Sequence, residues 1–197
     1  MKILFLTDKY NMLNSNKIIE YLEENENIEI MCEKIDKDIA KKFEFIISFG
    51  YRYIIKKPIL DLFTNNIINL HISYLPYNRG ADPNLWSILN NTPCGVTIHL
   101  IDKGLDTGKI LSQKKVQFDY EIDTMRSSYN KLKEAMAILF IDNWNKIKNN
   151  EILPIKQDES KSSIHYLKDR PNFSVMMPLG WDTKIADVKK LFNQKTK

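Results

Sequence analysis

Apolar residues along this chain fall into short blocks with two rhythms. Ile3 to Leu6, Ile28 to Cys32, Phe45 to Phe49 and Ile67 to Leu70 are brief, mostly apolar runs. Such runs are expected of strands covered on both faces. Ser15 to Glu23 reads as a short helix with Ile18, Ile19 and Leu22 on one side. Gly95 to Ile101 alternates, with Val96, Ile98 and Leu100 against Thr97, His99 and Ile101, the pattern of a half-buried strand. Ile110 to Phe118 reads as its neighbour, so the sheet is expected to end in antiparallel pairing. From Thr124 to Asn149, apolar residues (Met125, Tyr129, Leu132, Met136, Leu139 or Phe140, Trp144, Ile147) recur every three or four positions. That predicts a long helix, with Asp123 or Thr124 as its N-cap. Strands alternating with helices predict an α/β fold, a mostly parallel sheet of doubly wound type.

Beyond Glu151 the pattern changes. Gln157 to Ser163 is polar and turn-rich, Pro171, Pro178 and Gly180 punctuate the rest, and Ile185 to Phe192 reads as a short terminal helix. We divide the chain into a catalytic domain, residues 1–150, and a C-terminal extension, residues 151–197, which is too small to fold alone.

Composition narrows the class. Hydrophobic residues are 43% and charged residues 27% of the 197, as in ordinary globular proteins. No apolar run approaches the ~20 residues that span a bilayer. The first strand meets Asp8 too early for a secretory leader, so a cytoplasmic location is expected. The net charge of +4 is spread among acidic residues rather than gathered on one element, which argues against a nucleic-acid partner. It would still help an anionic small substrate approach. Cys32 and Cys94 lack metal-ligand spacing, and no metal is expected.

The chemistry is concentrated. Five of the six glycines lie between Gly50 and Gly108, as do two of the three histidines, His71 and His99. Asn69 and His71 alternate onto one side at the end of the fourth strand, the edge where open α/β sheets bind ligands. Gly104 to Gly108 is a second tight loop, and it carries Asp106. A carboxamide, an imidazole and a carboxylate suit acyl transfer: the amide N–H stabilises an oxyanion, the imidazole takes a proton and the carboxylate orients the imidazolium. Ser73 and Cys94 have no base visibly arranged to activate them, so direct attack by a substrate amine is simpler than covalent catalysis.

Asn69-Leu70-His71-Ile72-Ser73-Tyr74-Leu75-Pro76 with Arg79-Gly80, Pro83 and Trp86 resembles the signature of the formyl-tetrahydrofolate-dependent formyltransferases. So does Gly95-Val96-Thr97-Ile98-His99 through Asp102, Gly104, Asp106-Thr107-Gly108 and Ile110. The resemblance implies a Rossmann-like fold and formyl transfer from N10-formyltetrahydrofolate, without a metal. It implies Asn69, His71 and Asp106 as the catalytic set, with His99 in support. The folate is expected along Tyr51, Tyr53, Ile54 and Ile55 and along Lys103, Gly104 and Leu105. Residues Tyr74 to Pro83 and the tail look most like the sugar N-formyltransferases, which implies a nucleotide-linked amino sugar, such as a dTDP-linked amino-6-deoxyhexose, as acceptor. Lys9 and Arg79 are candidates for its diphosphate, and Tyr74, Tyr77 and Tyr166 for its base. Arg79 is equally a candidate loop clamp, and Trp86 reads as core. The alternatives are glycinamide ribonucleotide or methionyl-tRNA as acceptor, or a non-catalytic folate-binding module. The apolar tail segment Ile164 to Met177 either covers the domain itself or pairs two copies; a homodimer is expected.

Overall fold

The computed structural model describes residues 1–9 and 16–195; Ser15, the expected start of the first helix, lies outside them. Six strands form one mixed sheet: β1 (Lys2–Leu6), β2 (Asn27–Met31), β3 (Phe45–Ser48), β4 (Ile67–His71), β6 (Gly95–Leu100) and β7 (Ile110–Lys115), in the order β2-β1-β3-β4-β6-β7. β1 pairs in parallel with β2 and β3, and β3 with β4. β6 runs antiparallel to β4, so the change of direction comes at the β4 edge. Among the described residues, the α-helices are α1 (Asn16–Asn25), α2 (Lys37–Ala40), α3 (Lys57–Leu60), α4 (Pro83–Leu89), α5 (Met125–Lys148), α6 (Phe173–Met176) and α7 (Ile185–Lys195). A separate two-stranded sheet pairs β5 (Arg79–Gly80) with β8 (Ile164–His165). This is the Rossmann-like α/β arrangement expected from the sequence. None of the described helices is long and apolar enough to cross a membrane.

The chain divides into two compact units. The first comprises residues 1–71, 97–113 and 136–157, the second residues 72–96, 114–135 and 158–197. In the first unit, alternation along β1 and β3 feeds two apolar layers. Leu4, Leu6, Ile46 and Ile67 pack with Ile35, Ala40, Ile55 and Ile59, which lie on or beside α2 and α3. Phe45, pointing the other way, meets Trp144 of α5 edge-on at 5.1 Å. The sheet is thus covered on both faces, which is why its central strands read as continuous apolar runs. The Trp144 indole N–H donates to the buried Glu26 carboxylate at 3.0 Å, and Lys148 donates to the same oxygen at 2.6 Å.

The core of the second unit gathers Leu85, Ile88 and Leu89 of α4 with Met176, Met177, Ile185 and Val188. Trp86 is buried in this cluster, as its spacing predicted. Part of the apolar tail therefore folds onto its own unit, while Tyr166, Leu167 and Val175 stay exposed.

Candidate active site

β4 sets the site. Its register places Asn69 beside Ser48 of β3 and opposite His99 of β6. Directly opposed residues of an antiparallel pair share a face, so Asn69, His71 and His99 project to the same side. His71 and His99 are buried, their rings edge-on with centroids 6.1 Å apart.

Asp106 comes from the loop between β6 and β7. Its backbone takes φ +54°, a left-handed conformation that costs most L-residues energy but that Asp and Asn tolerate. The Asp102 carboxylate closes the near side of this loop, accepting from the Gly104 N–H at 2.9 Å and the Thr107 hydroxyl at 2.6 Å. Gly108 packs so tightly on the Leu100 carbonyl that a β-carbon there would overlap it. Buried Gln157 donates to the Asp106 and Gly108 carbonyls, both at 2.8 Å.

The loop so held brings its carboxylate into the strand-end cluster. Asp106 Oδ1 accepts from Asn69 Nδ2 at 3.2 Å and lies 3.5 Å from His99 Nε2. Its Oδ2 lies 3.7 Å from His71 Nδ1. Asn69 Nδ2 is also 3.3 Å from His99 Nε2, while His99 Nδ1 is 2.8 Å from the Leu100 carbonyl oxygen. The carboxamide, imidazole and carboxylate picked out in the sequence therefore converge, and His99 touches the same carboxylate directly. Neighbouring donors and acceptors of this kind can pass a proton and stabilise charge on an acyl oxygen.

The other expected site residues are scattered over the two units. In the first, Tyr51 anchors the segment after β2: its hydroxyl donates to the Glu33 carbonyl at 2.8 Å and accepts from the Ile35 N–H at 3.1 Å. Burial pushes this phenol up. Tyr53 and Ile54 are exposed, while the Ile55 side chain is core. Lys103, Gly104 and Leu105 form an exposed rim beside Asp106. Tyr51, Ile55 and Ile101 pack in one apolar cluster, which ties the 51–55 loop to the strand end that leads into 103–105. Lys9 is exposed.

In the second unit, Arg79 is buried and grips Glu159 with two bonds of 2.8 and 3.0 Å. Tyr74 and Tyr77 are half-buried and Tyr166 is exposed. The Ser73 hydroxyl donates to the Tyr77 carbonyl at 2.6 Å, and burial pushes the Cys94 thiol up. Neither is set up as a nucleophile. His165 stacks on Trp86 with centroids 4.0 Å apart, and burial lowers its imidazole pKa. Among the described residues no group of three His, Cys, Asp or Glu is placed to hold a metal ion.

Residues 11–143 match the formyl transferase family, and the chain belongs to it. The formyltransferase PseJ from Anoxybacillus kamchatkensis, crystallised with UDP-4,6-dideoxy-4-formamido-L-AltNAc and tetrahydrofolate, is 42% identical. The match covers 97% of this chain and 100% of that one, at a TM-score of 0.85. An N-formyltransferase from Helicobacter canadensis, solved with folinic acid and dTDP-3-aminofucose, has the same fold at a TM-score of 0.75 and 22% identity; the match covers 97% of this chain and 80% of that one. Methionyl-tRNA formyltransferase of Clostridium novyi is 32% identical over 189 residues, which cover 93% of this chain and 54% of that protein. The chain thus spans roughly half the length of this relative.

Proposed function

We propose that this chain transfers a formyl group from N10-formyltetrahydrofolate to the amine of a nucleotide-linked amino sugar. The observation that carries the reading is the meeting of Asn69, His71 and Asp106 at the end of β4. The full-length likeness to PseJ, a protein solved with a UDP-linked formamido sugar and tetrahydrofolate, supports the substrate class. A UDP-linked 4-amino sugar is therefore the first acceptor to test, ahead of the dTDP-linked amino-6-deoxyhexoses.

The roles follow from the chemistry of the groups. The neutral amine attacks the formyl carbon, and the tetrahedral adduct gives up an amine proton to the His71 imidazole. His71 returns that proton to N10 as the formyl C–N10 bond breaks and tetrahydrofolate leaves. Asp106 stabilises the resulting imidazolium. The Asn69 N–H groups serve the oxygen on which charge gathers. His99 holds Asn69 in place by accepting from its amide. The folate rests on the 51–55 loop and on the 103–105 backbone; the exposed Tyr53, Ile54 and Leu105 suit a flat heteroaromatic ring. Lys9 is the candidate for the diphosphate and Tyr74, Tyr77 and Tyr166 for the base, while Arg79, held by Glu159, clamps its loop instead. We take residues 1–150 as the catalytic domain and 151–197 as its extension, in a cytoplasmic homodimer whose contact includes the exposed Leu167 and Val175.

The likeness to methionyl-tRNA formyltransferases favours one second reading, charged tRNA as acceptor. A panel of UDP- and dTDP-linked amino sugars, glycinamide ribonucleotide and methionyl-tRNA, each with N10-formyltetrahydrofolate, separates the readings by the mass of the product. We expect formylation of a nucleotide sugar alone. Formylation of methionyl-tRNA that weakens steeply with salt would replace our reading, and no transfer to any amine alongside folate binding would make the chain a binding module. Light scattering on the chain cut near Asn150 tests the tail's part in pairing: an unchanged dimer would exclude it.

A further inference from the structure

We infer that Gln157 is a positioning residue for Asp106, its carboxamide holding the loop in the left-handed turn that aims the carboxylate at His71 and His99. The inference rests on the formyl-transfer reading for its kinetic consequence, though not for its geometry.

A non-glycine residue at φ +54° persists only where the surroundings over-determine it. Two sets of contacts do so here. The local set is the Asp102 carboxylate on Gly104 and Thr107, with Gly108 pressed on Leu100; it closes the turn. The second set comes from a distant segment. A carboxamide nitrogen carries two hydrogens, and those of Gln157 go to the Asp106 and Gly108 carbonyls at 2.8 Å each. These two oxygens flank Thr107. Pointing both at one amide fixes the planes of the peptide units that follow Asp106 and Gly108, and so the direction in which the Asp106 side chain leaves the backbone. Gln157 itself is only 4% exposed, so water does not compete well for its hydrogens. The carboxylate it orients sits 3.7 Å from His71 Nδ1 and 3.5 Å from His99 Nε2, distances at which a small rotation of the turn changes the interaction.

The test uses the full chain with Gln157→Leu and Gln157→Ala, which remove the donors. Gln157→Glu keeps the side chain's volume but turns oxygens toward the two carbonyls. Circular dichroism checks that each variant folds. NMR titration of the His71 ring reads the position of Asp106 without any substrate. Asp106 and His99 both face that ring, so Asp106→Asn and His99→Gln serve as references. We expect Gln157→Leu and Gln157→Ala to shift the His71 midpoint downward, most of the way to its Asp106→Asn value, because an opposing carboxylate is what holds the imidazolium.

In turnover we expect kcat to fall about 10–100-fold, with KM for both substrates nearly unchanged, as for a displaced catalytic group. The Gln157→Glu enzyme should recover part of its kcat as the pH falls and its carboxyl regains a donor, a limb absent from the wild type. A His71 midpoint unmoved in the folded variants would overturn the inference, and so would a loss of thermal stability with kcat intact. A shifted midpoint in a chain that formylates nothing would uphold the positioning and sink the formyl-transfer reading.

Discussion

The strand-end cluster of the first unit and the 78–82 loop of the second both bury polar and charged groups, and they hold them differently. In the loop the bonds are short. Arg79 meets Glu159 at 2.8 and 3.0 Å, Asn78 Nδ2 donates to Thr92 at 2.7 Å, and Arg170 grips Asp82 at 2.6 and 2.8 Å. In the cluster, the contacts among Asn69, His71, His99 and Asp106 run from 3.2 to 3.7 Å. Short charge-assisted bonds fix geometry. Longer ones yield at little cost, and catalytic contacts are often long before the reactants arrive. On the roles proposed above, the difference separates groups that keep the chain's shape from groups that change partners during the reaction.

Breaking the cluster should have the largest effect. Asp106→Asn and His71→Asn should each lower kcat by about 10²–10⁴-fold, with thermal midpoints close to wild type. Asn suits position 106 because it tolerates the left-handed backbone. A formyl-transfer assay beside a melting curve decides: near-normal turnover in either variant would remove the assigned roles. Asn69→Ala should cost slightly less, on the order of 10²–10³ in kcat, with substrate KM almost unmoved.

The loop should respond in stability instead. Arg79→Ala should lose about 1–3 kcal/mol in urea unfolding, whereas Glu159→Gln should lose under about 1 kcal/mol, since Glu159 is largely in solvent. If Arg79→Ala raised KM for the nucleotide sugar and left stability intact, Arg79 would belong with the ligand rather than the scaffold.

The smallest effect comes from a third buried charge, Glu26. Burial alone would push its carboxyl up, but hydrogen bonds from Lys148 and Trp144 outweigh burial and hold it below the usual glutamate range. A carboxyl whose pKa is lower folded than unfolded contributes fully above the unfolded value and loses that contribution as pH falls through the folded one. Glu26→Gln should therefore lower stability modestly near neutrality, where the ion pair contributes in full, and flatten the further fall on acidification below about pH 4.5. Parallel acid-unfolding slopes for the two proteins would count against this ion pair.

Much of the sheet was legible because burial on both faces leaves continuous apolar runs, and the long helix because its period persists from Met125 to Ile147. The four-residue helices α2 and α3 and the two-residue strands β5 and β8 are too short to show any period. In the site, alternation alone put Asn69 and His71 together. The arrival of Asp106 rested on resemblance, since loop spacing does not say where a loop folds. Placing His99 against Asn69 needed the β4–β6 register, which single-strand patterns do not carry. Gln157 left no local signal, because its partners lie about fifty residues earlier in the chain.

The Leu100 carbonyl can only accept, so the neutral His99 ring carries its proton on Nδ1 and turns a lone pair toward Asn69. One hydrogen of the Asn69 amide is thus engaged by His99 and the other by Asp106. This amide is fully subscribed before any reactant enters. On the role proposed for it, a newly negative oxygen would enlist it only by displacing one of the two, and turnover would begin with a swap of partners rather than the filling of an empty socket.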